Sequence, residues 1–140
     1  MYSPSAAILL LGTAAQESKL GYYLHQINGP AMGIYQMEPR TFRDIFDNYV
    51  DYHPDLDASL FRVCPYSRKL EASMMIHDLN LATAMCRLHY KRVPEELPSK
   101  SDVDGLAKYW KTYYNTKYGK GTEQEFIENF YEHKLNKFIT

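Results

Sequence analysis

Hydrophobic residues recur at helical spacing along most of the chain, and no segment shows the sustained apolar–polar alternation of a strand. The first predicted helix runs from Pro4 to about Ser18. Ser3 is a favourable N-cap residue, and proline is well tolerated at the first helical position. Every residue from Ala6 to Leu11 is apolar, so this helix is expected at the centre of the core.

Four further segments show apolar residues on one face together with residues that favour a helix end. Three of these segments have the approximate bounds 38–50, 68–91 and 101–114, and the fourth begins after residue 122. Asp78 or Asn80 is expected to interrupt the third segment as a new cap, and Ser101 or Asp102 to cap the fourth. Thr122 and Glu125 have the spacing of a capping box. The pattern therefore predicts an all-α fold.

The segments between these helices are predicted to be irregular. The longest runs from Lys19 to Met32 and contains glycine, asparagine and proline at turn positions. Loops of this length inside a compact domain usually have a functional role. The segment from Asp51 to Tyr66 is also expected to be irregular, with one short helical turn at 57–61. A proline-containing linker is expected at 93–100.

Length and composition restrict the classes of protein that need to be considered. A chain of 140 residues with 45% apolar residues is expected to form a single domain over residues 1–140. The 16 basic and 17 acidic residues give a net charge of −1, which argues against electrostatic binding of nucleic acid. The apolar run near the N-terminus is too short for a membrane span, and no lysine or arginine precedes it. Neither stable membrane insertion nor an export signal is expected, so synthesis in the cytoplasm is predicted.

The cysteines and histidines do not have the spacing of metal ligands. Cys64 and Cys86 are too few for a disulfide framework, and two free buried thiols are expected. A single disulfide is the alternative if the protein works in an oxidising compartment. No metal ion or other cofactor is therefore predicted.

Glu17 is the residue that connects this pattern to chemistry. It comes at the end of the apolar first helix, so its carboxyl group is expected between the apolar surface of the core and a cleft. Burial disfavours the charged form of a carboxyl group and raises its pKa. A carboxylic acid with a raised pKa is the proton donor that glycosidic-bond cleavage requires. A solvent-exposed glutamate at a helix end is the ordinary alternative, and the residues that follow favour the functional interpretation.

Three blocks of residues occur in order along the chain. They are Glu17-Ser18, then Ala-Met-Gly-Ile-Tyr-Gln at 31–36 with Pro39 and Thr41, and then Tyr114-Asn115 followed by Gly119. Together these blocks resemble the lytic transglycosylase pattern of the lysozyme superfamily, over about residues 6–121. The small size and the segment from 108 to 122 also resemble bacteriophage cell-wall-degrading proteins.

The resemblance implies a lysozyme-like fold with a cleft between a helical lobe and a smaller loop-rich lobe. The implied partner is the peptidoglycan glycan strand, cut at the β-1,4 bond between N-acetylmuramic acid and N-acetylglucosamine. Glu17 takes the place of the catalytic acid/base, which closes a 1,6-anhydro ring on muramic acid without water. A monomer is expected, acting on the bacterial wall as a free endolysin or as part of a virion. Predicted substrate-binding residues are Ser18, Tyr35, Gln36, Glu38, Tyr114 and Asn115.

The chemistry of several residues suits this interpretation. Gln36 can donate and accept hydrogen bonds with sugar hydroxyls. Gly33 would let the backbone approach a sugar closely. A tyrosine hydroxyl near Glu17 would orient the acid, and Tyr113 is the alternative to Tyr114 for this role.

The chain also departs from the family pattern. Tyr35 stands where the family usually has methionine, and Ile27 falls near a family serine. Glu38 occupies a position that the family commonly fills with an apolar residue. Glu38 is either a first-turn helix acid favoured by the helix dipole, or a second carboxylate that holds a water or raises the pKa of Glu17 by repulsion. A lytic transglycosylase, a hydrolytic lysozyme and a non-catalytic glycan-binding virion protein all stay open.

Overall fold

The computed structural model describes residues 1–65 and 69–140. Within these ranges the chain forms six α-helices, and the only β-type pairing is two isolated bridges, His25 with Met32 and Met32 with Met37. The predicted all-α class is therefore confirmed. The helices are α1 (Pro4–Ser18), α2 (Pro39–Asn48), α3 (Pro54–Val63), α4 (Leu79–Lys91), α5 (Val103–Trp110) and α6 (Glu123–Glu132). Four shorter helical turns cover Val50–Tyr52, Ala72–Ile76, Lys111–Asn115 and Leu135–Phe138.

Helix α1 has the central position that its apolar sequence predicts. The Ser3 hydroxyl accepts a hydrogen bond from the Ala6 N–H at 3.1 Å, and Pro4 opens the helix. At the other end, Lys19 adopts a left-handed conformation with φ of 52° and closes the helix. Helix α1 contacts α4, α5 and α6, and Leu9 is fully buried between them.

Several predicted caps are present. Asp78 accepts a hydrogen bond from the Leu81 N–H at 3.0 Å and begins α4, so the third predicted segment is interrupted there. Asp102 caps α5 through the Gly105 N–H at 2.9 Å. Thr122 and Glu125 form both hydrogen bonds of a capping box at the start of α6. These caps fix the N-terminal ends of three helices.

Three predicted boundaries were wrong or fall outside the described residues. Residues 54–63 form a regular helix rather than one short turn, because Pro54 opens it and Leu56 and Leu60 bury one face against the core. The third segment forms a 3₁₀ turn at Ala72–Ile76 before α4, and its predicted start at Arg68 lies outside the described residues. The fourth helix is α-helical only to Trp110 and continues as a π-helical turn over Lys111–Asn115.

All six helices contribute side chains to one continuous hydrophobic core. Its largest fully buried side chains are Trp110, Tyr90, Phe126 and Phe130, which come from α4, α5 and α6. Cys64 and Cys86 are both buried free thiols. None of the helices in the described ranges combines the length and hydropathy that a membrane span requires.

Candidate functional site

A cleft of about 450 Å³ opens where the C-terminal end of α1 meets three other parts of the chain. These are the loop before α2 with its first turn, helix α4, and the segment from the π-helical turn to Lys120. Five of the seven predicted site residues line this cleft. The described lining consists of Glu17, Gln26, Ala31, Gln36, Met37, Glu38, Thr41, His89, Tyr114, Asn115, Tyr118, Gly119 and Lys120.

Glu17 lies half-buried in the cleft wall, and its carboxyl group has one protein donor among the described hydrogen bonds. The Trp110 indole Nε1–H donates to Glu17 Oε1 at 3.0 Å. Burial raises the pKa of Glu17 from 4.5 to about 7, and the hydrogen bond from Trp110 opposes this rise only in part. Burial and the Trp110 hydrogen bond are the causes of the shift in the pKa of Glu17, and repulsion from Glu38 is not among them.

Trp110 is also part of the site, although no role in the cleft was predicted for it. It is fully buried, and its ring packs against Phe126 with centroids 5.4 Å apart. A buried indole N–H usually finds an acceptor. The chain has a single tryptophan, and it lies within the predicted helix at 101–114, so a polar partner for its indole N–H was to be expected.

The π-helical turn at Lys111–Asn115 brings Tyr114 into the cleft. The Tyr114 hydroxyl donates to the Tyr35 carbonyl oxygen at 2.6 Å, and its ring stacks on Tyr90 with centroids 5.3 Å apart. The hydroxyl therefore supports the loop before α2, and the predicted contact that would orient Glu17 comes from Trp110 instead. Tyr113 packs on Tyr109 at 4.7 Å and is not in the described lining.

Gln36 lines the cleft from a left-handed backbone conformation with φ of 48°. Side chains other than glycine seldom adopt this conformation, and it often occurs at functional sites. The Gln36 Nε2–H₂ group donates to the carbonyl oxygens of Gly33 at 3.0 Å and Tyr23 at 3.4 Å. Both amide hydrogens are thus directed at the loop, and the side-chain oxygen remains an acceptor.

Gly33 does not have the role that the sequence suggested. It is buried with φ of 77°, and a Cβ atom at this position would lie 2.5 Å from the Met75 carbonyl oxygen. Glycine is required here because the loop passes close to the Ala72–Ile76 turn, rather than because a sugar approaches the backbone.

Ser18 and Tyr35 were predicted to bind substrate, and the structure contradicts both predictions. The Ser18 hydroxyl is fully buried and donates to the Ile34 carbonyl oxygen at 2.5 Å, while it accepts from the Gly21 N–H at 2.9 Å. The Tyr35 ring is buried, and its hydroxyl lies 3.2 Å from the Thr83 hydroxyl on α4. Neither side chain is in the described lining of the cleft, and both instead fix the loop that carries Gln36.

Glu38 lies in the cleft lining and precedes the first residue of α2. Its side chain does not cap the helix, and it pairs with the exposed Arg40 at 3.3 Å. The Glu38 side chain is 40% exposed. The structure thus brings a second, solvated carboxylate into the same cleft as Glu17.

Asn115 is held by Lys111, another residue that the sequence analysis did not single out. The Lys111 ammonium group donates to Asn115 Oδ1 at 2.6 Å and to the carbonyl oxygens of Gly119 at 3.1 Å and Gly121 at 2.7 Å. Three acceptors around one lysine fold the segment 116–121 back over the π-helical turn. This arrangement forms one wall of the cleft.

His89 also lines the cleft, although no role was predicted for it. Burial lowers the pKa of His89 to about 4, and the neighbouring Arg92 guanidinium acts in the same direction. Its Nε2 atom donates to the Tyr113 carbonyl oxygen at 3.0 Å, and Nδ1 accepts from Arg92 at 3.2 Å. With both nitrogens used and the ring neutral, His89 supports the wall and is not a proton donor near neutral pH.

The aromatic residues of the loop after α1 lie outside the cleft. Tyr22 and Tyr23 line a separate cavity of about 340 Å³ with Lys19 and His133. His25 is exposed and is not in the described lining of the cleft. Among the described residues there is no group of three or more His, Cys, Asp or Glu side chains placed to hold a metal ion.

Comparison of the chain with known proteins gives no further assignment. No family model, no curated protein and no solved structure matches it. A function for this chain therefore has to be inferred from the residues and geometry of the cleft.

Proposed function

We propose that this protein cleaves the glycan strand of peptidoglycan, at the β-1,4 bond between N-acetylmuramic acid and N-acetylglucosamine, with Glu17 as general acid/base. The observation that carries the proposal is a half-buried carboxyl group with a pKa of about 7 that lines an open cleft. Gln36 and the Tyr114-Asn115 pair line the same cleft. Residues from three blocks that are far apart in sequence therefore meet at one surface.

The state of Glu17 suits proton transfer in both directions. A general acid/base works best when its pKa is close to the operating pH, because both protonation states are then accessible. With a pKa of about 7, Glu17 is partly protonated near neutral pH. The protonated form would donate to the departing glycosidic oxygen, and the resulting carboxylate would accept a proton from the incoming nucleophile.

The fold would then be divided in the lysozyme-like manner. We propose that α1, α4, α5 and α6 form the helical lobe, which supplies Glu17 and packs around Trp110. The loop-rich lobe would be the segment between α1 and α2, which supplies Gln36. Gln36 lies in the cleft lining, and its Oε1 atom would accept a hydrogen bond from a sugar hydroxyl or acetamido group.

The leading form of the reaction is that of a lytic transglycosylase, in which the muramic acid 6-hydroxyl attacks and forms a 1,6-anhydro ring. A single protein acid is sufficient for this reaction because the substrate supplies the nucleophile. The second form is hydrolysis by a lysozyme, and the presence of Glu38 in the same cleft favours it. A solvated second carboxylate is the type of group that orients a water for attack.

The test is digestion of purified peptidoglycan followed by mass spectrometry of the released muropeptides. Products of a transglycosylase weigh one water less than products of hydrolysis and lack a reducing muramic acid end. Glu17→Gln should abolish the release of both kinds of muropeptide product. Glu38→Gln should abolish muropeptide release only if the reaction is hydrolysis. Binding of the wall by the wild-type protein without any release would instead identify a non-catalytic glycan-binding virion protein. Normal release by Glu17→Gln would refute the proposed role of Glu17.

A wall-degrading protein made in a bacterial cytoplasm must reach the other side of the membrane. We propose that this occurs either through a membrane pore made by a partner protein or by delivery within a virion. Lysis after addition of the purified protein to cells with permeabilised membranes, but not to intact cells, is expected from the first route.

A further inference from the structure

The hydrogen bond from Trp110 to Glu17 involves only one of the two carboxyl oxygens. The indole Nε1–H lies 3.0 Å from Glu17 Oε1, and no described hydrogen bond reaches Oε2. An indole N–H is a donor and never an acceptor. Oε1 must therefore present a lone pair to Trp110 whether the carboxyl group is charged or neutral.

We propose that Trp110 is a positioning residue that keeps Glu17 Oε1 as an acceptor and so assigns the acidic proton to Oε2, the oxygen that is left for the cleft. The catalytic meaning of this assignment rests on the proposed function. The assignment itself is a property of the free protein and can be tested without any substrate.

The indole is held tightly enough to act as a fixed donor. Its ring packs on Phe126 from α6, and Phe126 in turn fits against Gly12 of α1, where a Cβ atom would collide with it. On another side, a Cβ atom at Gly121 would lie 2.8 Å from Trp110 Cη2. A donor that is already oriented stabilises charge without having to reorganise during the reaction.

The assignment gives the proton a defined path. In the acid step the Oε2–H bond breaks, its electron pair stays on the Glu17 carboxylate, and the proton moves to the departing glycosidic oxygen. The new negative charge is then shared with Oε1, where the Trp110 N–H stabilises it through a charge-assisted hydrogen bond. The bond between the anomeric carbon and the glycosidic oxygen breaks, and its electron pair leaves with the oxygen. The muramic acid 6-hydroxyl or a water then forms the new bond to the anomeric carbon and gives its proton to Oε2.

Other titratable groups near Glu17 do not supply an equivalent donor. No hydrogen bond from any of them to the Glu17 carboxyl group is found among the described residues. Tyr114 uses its hydroxyl on the Tyr35 carbonyl oxygen, and Tyr90 uses its own on Thr13 at 2.8 Å. The titratable groups that share the described cleft lining or act electrostatically with Glu17 are Glu38, Cys86, His89, Tyr90, Tyr114, Tyr118 and Lys120.

The single tryptophan allows a test that changes one atom group. Biosynthetic replacement of Trp110 by benzothienylalanine exchanges the N–H for sulfur and keeps the bicyclic shape, while replacement by 5-fluorotryptophan keeps the N–H and is the matched control. The readout is the titration of the Glu17 carboxyl carbon by ¹³C NMR, assigned by its absence in Glu17→Gln. We expect the midpoint to rise by about one pH unit with benzothienylalanine, because the charged form loses its donor. The fluorotryptophan protein should keep its midpoint within a few tenths of a unit.

A second measurement uses the unmodified protein, so it does not depend on the folding of a variant. The one indole N–H signal in a ¹⁵N-labelled sample should move downfield as Glu17 ionises, with the same midpoint as the carboxyl carbon, and should be insensitive to pH over that range in Glu17→Gln. The proposal would be overturned if the indole signal did not shift when Glu17 ionises. It would also be overturned if the midpoint of the Glu17 titration were unchanged or lower in the benzothienylalanine protein. Neither readout involves glycan cleavage, so failure of the proposed function and failure of this assignment are distinguishable.

Discussion

Gly33 and Met75 meet so closely that a Cβ atom at position 33 would lie 2.5 Å from the Met75 carbonyl oxygen. This contact fixes the loop that carries Gln36 against the Ala72–Ile76 turn. Gly33 also has a positive φ of 77°, as does Gly21 with 95°, but the atoms nearest to a Cβ at Gly21 are 3.7 Å or more away. The two glycines therefore separate the effect of backbone conformation from that of steric contact.

Gly21→Ala is expected to destabilise the protein by about 1–2 kcal/mol, the cost of a left-handed conformation for an L-residue. Gly33→Ala should cost about 1–3 kcal/mol more, because the methyl group must also displace a backbone carbonyl. Urea denaturation of both variants measures the difference. Equal destabilisation by the two substitutions would show that the contact with Met75 is unimportant.

The pH dependence of stability should report the buried Glu17. Its pKa in the folded protein is about 7, above the ordinary value of 4.5, so the native state binds this proton more tightly than the unfolded state does. The contribution of Glu17 to stability is therefore full below about pH 4.5 and is lost as the pH rises to about 7.

Glu17→Gln removes this ionisation and can keep the Trp110 hydrogen bond, because the glutamine oxygen also accepts. We expect the variant to be more stable than the wild type above pH 7 by on the order of 1–3 kcal/mol, with the advantage disappearing at acid pH. Thermal denaturation across this pH range is the measurement. Parallel curves for the two proteins would mean that Glu17 titrates normally.

The hydrogen bond from Tyr114 to the Tyr35 carbonyl oxygen should stabilise the cleft wall. Tyr114→Phe leaves that carbonyl without its tyrosine donor, which we expect to cost about 1–3 kcal/mol and to increase hydrogen exchange in residues 33–37. Tyr113→Phe is the matched control, since the hydroxyl of Tyr113 lies at the surface near Glu95. The control should behave like the wild type in denaturation and exchange, and a similar loss in both variants would contradict the assignment.

Lys111 should be necessary for the order of the segment 116–121. Lys111→Met removes the donor shared by Asn115, Gly119 and Gly121, and a loss of about 2–3 kcal/mol is expected because all three acceptors bond to a charged group. Lys108→Met changes an exposed lysine one turn earlier and should have no comparable effect. Amide hydrogen exchange across 116–121 distinguishes the two, and unchanged protection in Lys111→Met would contradict this role.

Features that depend on neighbouring residues were predicted well from the sequence. The caps at Ser3, Asp78 and Thr122 involve contacts within three residues, so local residue types were enough to find them. Helix α3 was missed because only Leu56 and Leu60 of its ten residues are buried, which leaves a weak apolar pattern.

The candidate site was predicted only in part, because the sequence blocks do not show which of their residues face the cleft. Glu17 and Gln36 were found from their sequence blocks, but the adjacent Ser18 and Tyr35 point elsewhere. Successive residues of a helix or loop project in different directions, and a sequence block does not specify which of them faces the cleft. The Trp110–Glu17 bond joins residues 93 positions apart, so only the tertiary structure reveals it.

The buried Ser18 hydroxyl has a consequence for how a polymer could enter the groove. It ties the peptide at Ile34 to the end of the helix that carries Glu17, and the Tyr114 hydroxyl ties the next peptide to the π-helical turn. These two hydrogen bonds to consecutive peptide groups hold this rim of the cleft rigidly. The opposite rim, the segment 116–121, is held by the Lys111 side chain and by short-range backbone hydrogen bonds. Under the proposed function, a bound glycan strand is therefore expected to displace that side while Glu17 stays in place.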